Sequence, residues 1–220
     1  MRWLTRIRSL VQRPIHLDFA STTPVAKEVL RTMLPYFRTH WANPSALYQS
    51  GVRARDAIEN ARTRVARMLR IRSDGVLFTS GGTESNNQAL WGYIEALAER
   101  GRRYEDMEIV TTPIEHASIL EVCTVLKKKG VTIRFLPLHD DGLIDIEAFE
   151  TVLSPRTVLV SCAYVNSEIG VVQDVKRLTR IVRAYNKAEG TTICMHLDAA
   201  QAPLWLPCEM DMLGVDLLSL

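Results

Sequence analysis

The chain has 220 residues, enough to bury a core as one domain or two. Its 47% apolar and 24% charged residues are ordinary for a soluble globular protein, and a net charge of +2, from 27 basic against 25 acidic residues, gives no ground for a nucleic-acid or acidic-membrane partner. No apolar run approaches the ~20 residues needed to cross a bilayer, and the four cysteines, Cys123, Cys162, Cys194 and Cys208, are too scattered for a zinc cluster or a disulfide framework, which fits a reducing, cytoplasmic compartment.

Residues 1–15 read as a basic extension, in which Arg2, Arg6, Arg8 and Arg13 precede the first acid, Asp18. Basic, acid-free openings occur in organelle transit peptides, but this one is short, with only Thr5 and Ser9 as hydroxyl residues, and a plain solvated extension is the favoured reading. Residues 16–220 read as one partial domain. Val25–Phe37 carries Val29, Leu30, Met33 and Leu34 at helical spacing, with Thr23 as cap and Pro24 as first helical residue. Val52–Leu69 is an arginine-rich amphipathic helix with Ile58, Val65, Met68 and Leu69 on its inner side. A short apolar strand at Val76–Thr79, a glycine turn and a helix over Glu84–Glu99 follow.

The alternation then repeats. Strands are expected at Glu108–Thr112, Val131–Leu136, Thr157–Val165, Ile193–Leu197 and Val215–Leu220, and helices at Glu115–Lys129, Asp145–Leu153 and Val175–Glu189. Short apolar strands separated by amphipathic helices indicate an α/β fold with a mainly parallel sheet and helices on both faces. Right-handed crossovers gather the loops that follow the strands at one edge, where open α/β sheets bind ligands.

Four polar clusters occupy such loops. Ser80-Gly81-Gly82-Thr83-Glu84-Ser85 lies between a strand and a helix, where glycines allow close backbone approach and helix-start N–H groups suit a phosphate; a plain capped turn explains it equally well. In Glu115-His116 the histidine is placed to stack, move protons or cap a helix. Asp198, in His196-Leu197-Asp198-Ala199-Ala200-Gln201, ends a strand and needs a partner if buried; a protonated ring nitrogen, a helix cap and a salt bridge all qualify. Asn166, Ser167 and Glu168 offer donors and acceptors, with Gly170 permitting a turn, although a polar loop accounts for them as well. Together the clusters supply a phosphate cradle, a stacking group and a ring-nitrogen acid, as pyridoxal phosphate requires.

His16-Leu17-Asp18-Phe19-Ala20-Ser21-Thr22-Thr23-Pro24, Asn43-Pro44-Ser45, Phe78 to Asn87, Glu115-His116, Val165 to Gln173 and His196 to Gln201 occur in an order and spacing that resembles the class V aminotransferase-like proteins, in particular the cysteine desulfurases. The resemblance covers about His16 to Leu220. It implies the large domain of a pyridoxal-phosphate-dependent transferase, in incomplete form. Gly82 and Thr83 would hold the cofactor phosphate, His116 would stack on the ring and shuttle protons, Asp198 would keep the ring nitrogen protonated, and Gln201 and Asn166 would face the phenolic oxygen. Ser167 stands where the family has a second asparagine, and a serine is shorter.

The resemblance also implies the activity of the complete protein. It would take sulfur from L-cysteine, leave alanine and a persulfide for iron–sulfur or thio-modification pathways, and work as a homodimer with a scaffold or sulfur-acceptor protein. In the family, a strand like Val215–Leu220 leads into a Ser-x-His-Lys segment whose lysine forms the Schiff base. The present sequence stops before that lysine, the later sulfur-accepting cysteine loop and the small domain. The expectation is therefore a truncated chain, inactive as it stands. None of Lys27, Lys127, Lys128, Lys129, Lys176 and Lys187 reads as a substitute, and Cys162 and Cys194 read as buried strand residues. Other class V enzymes, such as selenocysteine lyases or aminotransferases, and a non-catalytic binding module or pseudoenzyme are the other readings.

Overall fold

A computed structural model describes residues 15–220. The basic extension and its transit reading lie, apart from Ile15, outside the described residues. The chain divides into two compact units, one ending at Ala54 and the other running from Arg55 to Leu220. No described helix is long and apolar enough to cross a membrane.

In the first unit, helix α1 (Lys27–Arg38) begins later than its sequence suggests. Ala26 occupies the cap position with φ −59° and ψ 141°, so Thr23 and Pro24 precede the helix rather than open it. The apolar residues of α1 remain substantially exposed, Val29 at 50% and Leu34 at 49%. Helix α2 (Gln49–Leu69) follows and crosses the division between the units.

The second unit is built on a sheet of five parallel strands, β1 (Glu108–Thr111), β2 (Thr132–Phe135), β3 (Thr157–Ala163), β4 (Cys194–Asp198) and β5 (Leu217–Ser219), in the order β2-β1-β3-β4-β5. Register explains its two-sided core. Ile109, Leu159 and Cys194 are aligned across β1, β3 and β4, and so are the next residues, Val110, Val160 and Met195. Successive strand residues face opposite sides, and these two rows belong to two separate buried clusters. The first row packs with Leu90, Ile94, Ile119 and Leu126, from the helical run α3 (Gly82–Asn87), a π-turn (Gln88–Gly92) and α4 (Tyr93–Glu99), and from α5 (Ala117–Lys128). The second packs with Phe149 of α6 (Ile146–Val152), Leu178 and Val182 of α7 (Val175–Glu189), and Leu213 of α8 (Met210–Leu213). Helices thus cover both faces, as the alternation of patterns predicts.

Boundaries agree best where caps are explicit. Asp174 accepts the Arg177 N–H at the start of α7, and Gly190, at φ 66°, ends the helix in the left-handed conformation. The expected strand at Val76–Thr79 is the clear miss. The segment pairs with no strand of the sheet, has Leu77 68% exposed, and shares the lining of a cleft of about 450 Å³ with Asp216–Leu220. An apolar, β-prone run becomes a strand only when a neighbour supplies ladder hydrogen bonds.

Leu159, on the central strand, is fully buried. Its replacement by alanine is expected to cost ~2–5 kcal/mol in urea unfolding, whereas Leu204→Ala, at an 84% exposed position, should change stability by less than ~0.5 kcal/mol. Equal effects at the two positions would contradict the core described here.

Candidate functional site

The loops after β1, β3 and β4 meet the start of α3 around a cavity of about 640 Å³ at the carboxyl edge of the sheet. The seven residues that the resemblance assigns to the cofactor line it, Gly82, Thr83, His116, Asn166, Ser167, Asp198 and Gln201, whereas Ser80, Gly81 and Ser85 of the glycine turn line the neighbouring cleft. The volume falls within the ~300–1,000 Å³ usual for small-molecule sites.

Asp198, the last residue of β4, is 8% exposed. Its Oδ1 accepts the Ala200 N–H at 3.0 Å, and its Oδ2 accepts from Asn86 Nδ2 at 2.7 Å. Both donors are neutral, and among the described residues neither lysine nor arginine lines the cavity. Each oxygen thus has a neutral donor, and no positively charged side chain among the described residues faces it. A ligand bearing a positive N–H at this spot would complete it.

His116 is the N-cap of α5, where Nδ1 accepts the Ser118 N–H at 3.1 Å and lies 2.8 Å from Ser118 Oγ. The capping role considered for this histidine is thus present, and the ring lines the cavity at the same time. Gly82 and Thr83 open α3, whose N-terminus has no side-chain cap. The Ser80 N–H is already taken by Glu84 Oε2 at 2.6 Å, a bond that also holds the Glu84 carboxyl below its ordinary pKa. The Gly82 and Thr83 N–H groups at this helix start line the cavity side, where they can meet an anion.

Asn166 is engaged in its own loop. Its Oδ1 accepts the N–H groups of Glu168 and Ile169, and its Nδ2 donates to Ile114 O at 2.8 Å. Gly170 closes the turn at φ 72°, with its N–H bonded to Asn166 O. Ser167 and Gln201 line the cavity beside it.

Three polar groups around the site carry roles that the sequence did not disclose. Asn86 (2% exposed) and Ser118 (7%) sit between His116 and Asp198. Glu115 is 6% exposed, with Oε1 accepting from Thr112 Oγ1 and Oε2 buried without a hydrogen-bond partner. Burial pushes the Glu115 carboxyl up to about 7 and the Asp198 charge adds to the rise, against the pull of the Thr112 hydroxyl and the Ala163 backbone. The sequence placed Glu115 in a motif, but its burial follows from the packing of three loops.

The cysteines do not join the site. All four are free and buried, and burial pushes Cys123 and Cys194 up to about 12 and Cys162 well above the ordinary thiol value. None lines the cavity, and neither do the six lysines.

Comparison with known proteins gives a consistent picture. The family model for aminotransferase class V matches residues 15–220. The chain is 38% identical over 210 residues to a cysteine desulfurase IscS of Dictyoglomus turgidum, covering 96% of this chain and 50% of that protein. It is 36% identical over 210 residues to a probable mitochondrial cysteine desulfurase of Dictyostelium discoideum, covering 95% and 44%. The chain therefore spans about half the length of the relatives it matches. Among solved structures, a NifS-like protein aligns with TM-score 0.85 at 33% identity, over 93% of this chain and 54% of that one. SspA in complex with cysteine aligns with TM-score 0.84 at 33% identity, over 93% and 56%.

Glu115 and His196 make opposing contributions to stability. His196, bonded to Ser161 and Ser219 hydroxyls, is pushed by burial down to about 4 from 6.5. It binds its proton more readily unfolded, so its contribution rises with pH between about 4 and 6.5. Glu115, raised from 4.5 to about 7, binds its proton more readily folded, so its contribution falls as pH rises from about 4.5 to 7. Glu115→Gln should therefore make stability climb more steeply with pH between about 4.5 and 7 than in the parent, and should relieve on the order of 3 kcal/mol at pH 8. Urea unfolding across this range measures it; a variant profile parallel to the parent's would show that Glu115 is not a raised buried acid.

Proposed function

The chain belongs to the aminotransferase class V family, and on that premise we propose that it carries the pyridoxal 5′-phosphate site of a cysteine desulfurase, which takes sulfur from L-cysteine to give alanine and a persulfide. The observation that carries this reading is the Asp198 carboxylate, buried at a strand end with only neutral donors. A pyridine nitrogen, protonated and opposite such a carboxylate, is the complement that chemistry calls for. The donor set around it fits the remainder of the cofactor.

When bound, pyridoxal phosphate supplies an electron sink for bond breaking at the substrate amino acid. The chain's residues prepare the site for it. The N–H groups of Gly82 and Thr83 receive the phosphate, with the helix behind them favouring negative charge. Asp198, oriented by Asn86 and the Ala200 N–H, holds the proton on the ring nitrogen. His116, which lines the cavity, would stack on the ring and move protons at the substrate side. Gln201, with Ser167 and Asn166, would face the phenolic oxygen; Asn166, with its carbonyl engaged and one amide hydrogen given to Ile114 O, has only its second amide hydrogen for that role. The buried, high-pKa cysteines take no part as sulfur acceptors in this reading.

The cysteine complex of a structural neighbour and the desulfurase relatives support cysteine as substrate. Homodimerisation, delivery of sulfur to a scaffold or acceptor protein, a cytoplasmic setting and the division into residues 1–15 and 16–220 belong to the same proposal and rest on the resemblance. A second reading, a non-catalytic binding module, is favoured by the absence of any lysine from the cavity lining among the described residues.

Titrating the 220-residue chain with pyridoxal phosphate is expected to give saturable binding, followed by quenching of tryptophan fluorescence. Asp198→Ala should weaken that binding about tenfold or more. Borohydride treatment of the complex should label no single lysine preferentially, because none lines the cavity. Undiminished affinity in the variant, or one stoichiometrically fixed lysine, would refute the assignment of the site.

A further inference from the structure

Hydrogen-bond accounting along one line of buried groups assigns a direction to every donor between Asp198 and His116. Asp198 Oδ2 lies 2.7 Å from Asn86 Nδ2, and an ionised carboxylate only accepts. The Asn86 amide must therefore turn its NH₂ toward the acid, since the flipped amide would set oxygen against oxygen. The same Nδ2 lies 2.9 Å from Ser118 Oγ, so its second hydrogen goes to the serine. Asn86 accepts this arrangement at a cost, because its Oδ1 is buried with no partner. An amide free to choose would not leave its carbonyl unpaired.

The Ser118 hydroxyl, having accepted from Asn86, has its own hydrogen to place. His116 Nδ1 stands 2.8 Å away and also receives the Ser118 backbone N–H at 3.1 Å. Two donors converge on one ring nitrogen, so Nδ1 carries the lone pair. In the neutral imidazole the hydrogen then belongs to Nε2, the nitrogen turned away from the start of α5. We propose that Asn86 and Ser118 are positioning residues, forming a one-way relay through which the charge on Asp198 holds His116 in its Nε2–H tautomer. The relay presents an N–H rather than a lone pair to whatever His116 meets in the cavity that it lines. Asn86 and Asp198 are 112 residues apart and Asn86 and Ser118 are 32 apart, so the relay ties three separate segments into one protonation state.

This inference deepens the proposed function, because it concerns the histidine and the acid of the same site, but its test needs no cofactor. In ¹⁵N-histidine-labelled chain at pH 8, long-range ¹H–¹⁵N spectra separate the nitrogen shifts of the tautomers, and His116→Gln identifies the His116 signals among the five histidines. The parent protein should show Nε2–H as the dominant form at His116. Ser118→Ala, which keeps the backbone donor but removes the hydroxyl, and Asn86→Leu, which releases the hydroxyl from its constraint, should each lower the Nε2–H to Nδ1–H ratio roughly five- to tenfold. Ser118→Thr, which retains a hydroxyl, should restore most of it. An Nδ1–H tautomer in the parent chain, or a ratio unchanged in both Ser118→Ala and Asn86→Leu, would overturn the relay; the parent spectrum decides even if a variant fails to fold. Should the parent chain show the locked tautomer yet bind no pyridoxal phosphate, the relay stands and the cofactor reading falls.

Discussion

A negative charge buried at the end of a parallel strand, with only neutral donors around it, is the constraint on which the site depends. Asp198 is brought there by β4, whose register with β3 and β5 fixes where the strand ends. Its donors come from α3 and from the turn after β4. A carboxylate in such surroundings is costly unless compensated: Asn86 gives one amide hydrogen to it and the other to Ser118, and leaves its own oxygen without a partner. The field of the same charge reaches further. It adds to the rise of the Glu115 carboxyl and works against the fall of His196. Glu115 in the loop after β1 and His196 within β4 are thus both coupled to Asp198, the last residue of β4.

The sheet and most of its helices were legible because their signals are local. Helix α7 was readable to the residue, since its apolar spacing is bracketed by the capping Asp174 and the left-handed Gly190. Parallel topology then did for the site what no single motif could, because strands running the same way deliver their following loops to one edge. The failures have a common physical origin. Val76–Thr79 has the composition of a strand, but strand formation depends on a neighbour that composition does not name. Thr23 and Pro24 have the chemistry of a helix start, but Ala26 keeps an extended backbone and the helix begins at Lys27. Asn166 was readable as a polar group at the binding edge, but not as one whose carbonyl is spent on two N–H groups of its own turn.

The roles of Asn86 and Ser118 were illegible for a different reason. Each sits in a segment whose sequence already has an adequate explanation, Asn86 in the first turns of a helix and Ser118 just past an N-cap. What makes them matter is the angle and distance at which three loops meet, a property of tertiary packing that neither periodicity nor composition encodes. The resemblance to cysteine desulfurases locates the neighbourhood, but only the folded arrangement decides which donor meets which acceptor.

The burial of all four thiols has a practical side. A cysteine at most 9% exposed, with a pKa raised by burial, exists almost wholly as the unreactive thiol at neutral pH. In its native state this chain is therefore chemically quiet toward alkylating dyes and oxidants. Modification of these thiols in the native state then requires the surrounding core to open first, so labelling rates report on local unfolding rather than on the surface.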